Sequence, residues 1–125
     1  MTEVTSAWPS HPDYEIDWQQ IDSTVRVWQG DTLLAESERA LLVTETDHAD
    51  VIYLPLVDLN LALLTATDHH TICPFKGEAS YYSLTGTDEL LENVVWWYPT
   101  PMEEVVGIAE HAAFYAHRVR IELVG

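Results

Sequence analysis

Apolar residues return at every second position through much of this chain, the pattern of strands buried on one face. Tyr14, Ile16 and Trp18 alternate with acidic residues, and Val25 and Val27 alternate with Arg26 and Trp28. Gln29-Gly30-Asp31 reads as a tight turn, and Thr32-Leu33-Leu34-Ala35 answers as the return strand of a hairpin. Residues 41–45 and 51–54 predict two more short strands around the polar turn Asp47-His48-Ala49-Asp50. Residues 78–84, rich in Tyr and Ser, predict a strand, and so does the β-prone run Val94-Val95-Trp96-Trp97-Tyr98, stopped by Pro99 and Pro101. A last strand over 118–123 would turn Val119, Ile121 and Leu123 inward.

Two segments change period. Pro55 suits a first helical turn, and Leu56, Leu59, Leu63 and Leu64 follow at helical spacing, which predicts a short helix over 55–64. Residues 65–71 then read as a polar loop. Thr100-Pro101-Met102-Glu103 fits a capping box and predicts a helix from 103 to about 111. The sum is eight or nine short strands and two short helices. Regular βαβ alternation is missing, so the expected fold is mainly β, with antiparallel sheets around one core.

A length of 125 residues sets one domain. Residues 1–12, with Pro9 and Pro12, read as an extended arm that Trp8 pins to the body, and residues 13–125 as the β domain. A hydrophobic share of 47% suits a packed globule. Five Lys and Arg against 21 Asp and Glu give a net charge of −16, a surface that repels phosphate backbones and argues against nucleic acid as partner. The acids are spread along the chain, and Lys76 is the single lysine. Such a composition fits an ordinary acidic soluble protein or one from a salt-rich cytoplasm. No apolar run approaches the ~20 residues of a membrane helix. The start, Met1-Thr2-Glu3-Val4, lacks the basic and apolar regions of a secretory signal. One cysteine allows neither an internal disulfide nor a Cys₄ zinc site. The expectation is a cytoplasmic protein, monomer or homodimer, without a membrane partner and with no cofactor.

The run Cys73-Pro74-Phe75-Lys76-Gly77-Glu78-Ala79-Ser80-Tyr81-Tyr82-Ser83 resembles a bacterial and archaeal family called domain of unknown function 427. Ala35-Glu36-Ser37 through Arg39-Ala40-Leu41 resembles its A-D-S-x-R-A-L stretch, and Glu45, Tyr53, Pro55 and Asp58 its E…Y-F-P…D-V portion. Glu92-Asn93-Val94-Val95-Trp96-Trp97-Tyr98-Pro99-Thr100-Pro101 is similar to E-N-A-A-W-Y-Y-P-x-P. Ile108, His111 and Ala113-Phe114-Tyr115 match I-x-G-H-V-A-F-Y, and His11-Pro12-Asp13-Tyr14 resembles the opening segment. The resemblance implies a small tent-like or barrel-like antiparallel β fold of unestablished activity. Two positions depart from it: Ala49-Asp50 stands where Pro-Pro is usual, and Glu110 where Gly is frequent.

Cys73 and Lys76 are the strongest candidates for chemistry. A nearby ammonium favours the thiolate, and the pair sits on one Pro-containing turn ahead of Gly77, which would let a ligand approach the backbone. A lone lysine among so many acids should have a specific carboxylate partner, Glu45 or Asp58. Alternatively, Cys73 is a small buried hydrophobe and Lys76 a structural ion pair. Arg39, Glu45, Tyr53, Asp58, Tyr81 and Tyr98 form a second, ligand-binding set. Tyr81 shares a strand face with the small residues Gly77, Ala79 and Ser83, and Tyr98 with Trp96 could form the opposite wall. Aromatic core packing is the plainer reading for each ring alone.

His69-His70-x-x-Cys73, with His48, offers metal donors, but adjacent histidines on an extended chain point to opposite faces, so no metal site is expected. The resembled family also carries a nucleotidyltransferase-like label. That chemistry wants paired carboxylates for Mg²⁺ and a phosphate cradle, and the chain has no Asp-x-Asp, P-loop or G-x-G-x-x-G. Three functions stay open. The first is binding of a small polar metabolite, anionic or carbonyl-bearing, in a pocket around Cys73 and Lys76. The second is an enzyme using Cys73 or Lys76 as nucleophile. The third is an interaction module presenting Trp8, Trp18 and Trp28.

Overall fold

A computed structural model of the chain describes residues 4–125. The expectation drawn from Met1-Thr2-Glu3 therefore lies outside the described residues. Among the described residues ten strands are present, and every pairing between them is antiparallel: β1 (Ile16–Gln20), β2 (Thr24–Gln29), β3 (Thr32–Ser37), β4 (Leu41–Glu45), β5 (Val51–Pro55), β6 (Leu64–Cys73), β7 (Gly77–Leu84), β8 (Leu91–Trp97), β9 (His111–Phe114) and β10 (Arg120–Val124). They form a seven-stranded sheet in the order β1-β4-β5-β9-β8-β7-β6 and a three-stranded sheet in the order β10-β2-β3. The β2–β3 hairpin turns on Gly30-Asp31, where Gly30 takes φ +59°, the left-handed conformation that two-residue hairpin loops need.

The period-two pattern explains how both faces of the large sheet are used. On β5, Leu54 packs toward the small sheet and its neighbour Tyr53 packs the other way; on β9, Ala112 and Phe114 go one way and Ala113 the other. One core cluster joins Val25, Val27, Leu34 and Ala35 of the small sheet to Leu54, Leu84, Val94, Val95 and Phe114 of the large one. A second cluster covers the opposite face with Ile16, Val43, Tyr53, Tyr81, Tyr98, Val105, Ile108 and Ala113.

Four expectations need correction. Residues 55–64 are not a helix. Pro55 ends β5 opposite His111, and two 3₁₀ turns follow, Leu56–Asp58 and Leu61–Leu63. The backbone is drawn onto β3 instead: Leu59 bridges Ala35, and the Asn60 N–H donates to the Leu34 carbonyl at 2.7 Å. Residues 65–71 are not a loop but most of β6, an edge strand exposed along nearly its whole length. Edge strands have one free side and need no clean alternation. The helix expected from 103 to 111 shortens to 3₁₀ structure over Glu103–Ile108, interrupted at Val105 (φ −125°). On β10, Ile121 is half-buried but Leu123 is 54% exposed, because β10 lies at an edge of the small sheet. Among the described residues no helix is long and apolar enough to cross a membrane.

Candidate functional site

The second apolar face carries a cavity of about 420 Å³. Its floor is a row of facing residues across four strands: Tyr81 on β7 stands opposite Trp96 on β8, Trp96 opposite Ala113 on β9, and Ala113 opposite Tyr53 on β5. Ala113 is the small member of the row, so the rings on either side reach over it. The Trp96 Nε1–H donates to the Tyr53 hydroxyl at 3.2 Å, with the two rings edge to face at 6.2 Å. The Tyr81 hydroxyl is bonded to Thr71 Oγ1 at 2.8 Å, and His69 sets its ring against Tyr81.

The polar wall comes from two chain reversals. Glu45 is the last residue of β4, and Lys76 lies in the β6–β7 turn, whose Lys76 N–H donates to the Cys73 carbonyl at 3.2 Å. Lys76 Nζ donates to Glu45 Oε1, and both side chains are about nine-tenths buried, at 10% and 11% exposure. The Tyr14 hydroxyl donates to the other oxygen, Glu45 Oε2, and His48 Nε2 stands 3.9 Å from it. Burial alone would raise the Glu45 pKa, but the hydrogen bonds from Lys76 and Tyr14 and the ammonium charge outweigh it and hold it below the ordinary value. Burial, reinforced by the Glu45 carboxylate, pushes the Tyr14 hydroxyl up. Burial likewise raises Tyr53 and Tyr98, and it takes Tyr115, beside Tyr81, up to about 12. The phenols thus stay protonated and able to donate across the neutral pH range.

Six of the sequence candidates line this one cavity: Glu45, Tyr53, Cys73, Lys76, Tyr81 and Tyr98. Arg39 and Asp58 do not, so the eight-residue pocket expected from the sequence is corrected to six of its members. Arg39 and Asp58 pair with each other at 3.5 Å near the end of β3, where the buried Ser37 hydroxyl donates to Asp58 at 2.6 Å and accepts from the Arg39 N–H at 3.0 Å. Gly77 does not offer its backbone to a ligand either. It takes φ +122°, and a Cβ there would stand 3.3 Å from the Thr100 carbonyl oxygen, so the missing side chain makes room for the chain itself.

Four contributors escaped the sequence reading. Tyr14 stands out in the sequence as one member of an alternating strand pattern and of the resembled opening segment, with no site role. His48 was assigned to a turn and weighed only as a metal donor, Val43 to an apolar strand, and Tyr115 to the resemblance alone. Their common signal is register: β4 brings Val43 and Glu45 to one face, and the reversal after Glu45 brings His48 back over it. Of the three tryptophans weighed as partner contacts, Trp8 is half-buried and bonded to the Phe75 carbonyl at 2.9 Å, and Trp28 is half-buried and bonded to Glu122 at 3.2 Å. Trp18 is 37% exposed. Among the described residues no three His, Cys, Asp or Glu side chains gather as metal donors.

A family model described as a domain of unknown function (DUF427) matches residues 17–125, and the chain belongs to that family. No curated protein matches it.

Proposed function

We propose that the cavity binds a small polar metabolite bearing a carbonyl or hydroxyl group. The observation that carries this reading is the buried Lys76–Glu45 pair facing a wall of protonated phenols in a space of about 420 Å³, a volume usual for small-molecule sites. The pair is internally neutral, which favours an uncharged or weakly anionic ligand over a polyanion. Lys76 has three N–H donors and spends one on Glu45. Tyr53 accepts from Trp96 and keeps its own proton to donate. Nucleotidyl transfer is a poor match, because among the described residues Glu45 is the single carboxylate lining the space, and its oxygens are already engaged.

The indole N–H of Trp96 reports on the floor of the cavity. Small amides, hydroxy acids and aldoses would be titrated to millimolar concentration while this proton is followed by NMR and the unfolding temperature is recorded. At least one class should move the signal and raise the unfolding temperature of the natural protein, with a weaker effect in Tyr53→Phe. A Trp96 signal indifferent to every class would end the reading.

Cys73 on the same cavity favours one second reading, a thiol-dependent enzyme. A pH series of alkylation rates separates the two. A midpoint near or above ~8.5, the free-thiol value, with slow labelling speaks for an inert packing thiol and against the enzyme.

A further inference from the structure

We infer that residues 7–14 form a releasable strap that sets the shape of this cavity by holding both its Lys76 turn and its Glu45 carboxylate. The inference rests on the binding role proposed for the cavity and adds a regulatory element that lies ahead of the family match, which begins at residue 17.

The strap's contacts converge. The Ala7 N–H donates to the Pro74 carbonyl at 3.0 Å, and the Trp8 Nε1–H donates to the Phe75 carbonyl at 2.9 Å. Tyr14 stacks on the Phe75 ring, centroid to centroid 3.7 Å with 7° between planes, while Trp8 and His11 meet the same ring edge to face at 5.2 and 5.4 Å. Pro74 and Phe75 are the two residues between Cys73 and Lys76, so every one of these contacts loads the turn that presents both groups to the cavity. Tyr14 then crosses to the other wall and donates to Glu45 Oε2. One short segment thereby fixes both members of the ion pair.

Its hold is local. Between residues 4 and 15 no side chain is fully buried, and the sheet begins only at Ile16. Segments with few buried contacts open well below the cost of global unfolding. Release would free an oxygen of Glu45 and loosen the turn that carries Cys73 and Lys76, without disturbing the sheets. The competing arrangement is that β1 keeps Tyr14 in place by itself, since the Glu15 N–H donates to Thr46 Oγ1 at 2.9 Å and the Thr46 N–H to the Glu15 carbonyl at 3.0 Å.

Trp8→Ala decides between them. Lys76, Tyr14 and His48 face the Glu45 carboxylate, so its titration, followed by carboxylate NMR, registers the loss of any one of them. With a strap, Trp8→Ala shifts the Glu45 midpoint upward in the same sense as Tyr14→Phe and speeds iodoacetamide labelling of Cys73 several-fold. If Trp8→Ala leaves either the Glu45 midpoint or the labelling rate at its natural value, β1 alone holds Tyr14 and the strap is overturned. Trp8→Phe keeps most of the ring packing but loses the bond to Phe75. It must change both readouts in the same direction by less, and it decides the matter should Trp8→Ala fail to fold. Neither readout uses a ligand, so a cavity that binds nothing would end the proposed function and leave this result standing.

Discussion

Lys76 and Glu45 meet with about a tenth of each side chain exposed, although they stand 31 residues apart and reach each other only because a strand end and a hairpin turn converge. Two charges taken out of water are tolerable as a pair and costly singly. Lys76→Met should therefore lower unfolding free energy by about 3 kcal/mol, near the low end for a broken buried pair because the cavity admits water. Denaturant unfolding at neutral pH measures it. Adding Glu45→Gln to that variant should recover part of the loss. A Lys76→Met protein as stable as the natural one would mean that water already solvates Glu45.

The same carboxylate gives stability a pH dependence. Its folded pKa lies below the ordinary glutamate value near 4.5, so its charge stabilises the fold above that value. The contribution is lost as pH falls through the lowered folded value. The stability advantage of the natural protein over Glu45→Gln should be full at neutral pH and should shrink in acid below about 4.5. Parallel urea titrations from pH 7 to pH 3 would show the two curves converging; curves that stay parallel would contradict the assignment.

Glu110 takes φ +59°, a left-handed conformation that costs a residue with a Cβ about 1–2 kcal/mol. Its carbonyl is meanwhile needed, because it accepts from the Leu56 N–H at 2.9 Å at the end of β5. Glycine at this position keeps the bond and relieves the strain. Glu110→Gly should raise stability by about 1 kcal/mol, after allowance for the extra freedom glycine gives the unfolded chain. Thermal unfolding checks the sign.

Tyr53 is 2% exposed and its hydroxyl is the acceptor for the Trp96 indole N–H. Tyr53→Phe keeps the ring but strands that donor, at a cost of about 1 kcal/mol. The Trp96 indole proton should also exchange faster with solvent. An unchanged exchange rate would place another acceptor, a water in the cavity, on that nitrogen.

The strands were legible where one face is buried and the other wet, as in Val25 and Val27 of β2 or Val43 and Glu45 of β4. The pattern misled at the corner between the sheets. Leu56, Leu59, Leu63 and Leu64 have helical spacing because apolar groups recur there, yet Leu59 and Leu64 enter the core from separate turns. Spacing alone cannot tell a helix face from a stepped corner; the pairing of Leu59 with Ala35 can. β6 was missed for the opposite reason: Thr65, Asp68, His69 and Thr71 are polar because the strand is an edge with little to bury. At the site, scarcity singled out Lys76 and Cys73. Which carboxylate would meet the ammonium depended on register, which put Glu45 within reach and left Asp58 beside Arg39.

The burial of Lys76 has a practical corollary. With no second lysine in the sequence and this one 8% exposed, amine-selective reagents find no lysine side chain on the outer surface. Acylation of the ε-amine would then clock the opening of the interior: a modification ordinarily scattered over a protein's exterior becomes here a timer for a single doorway.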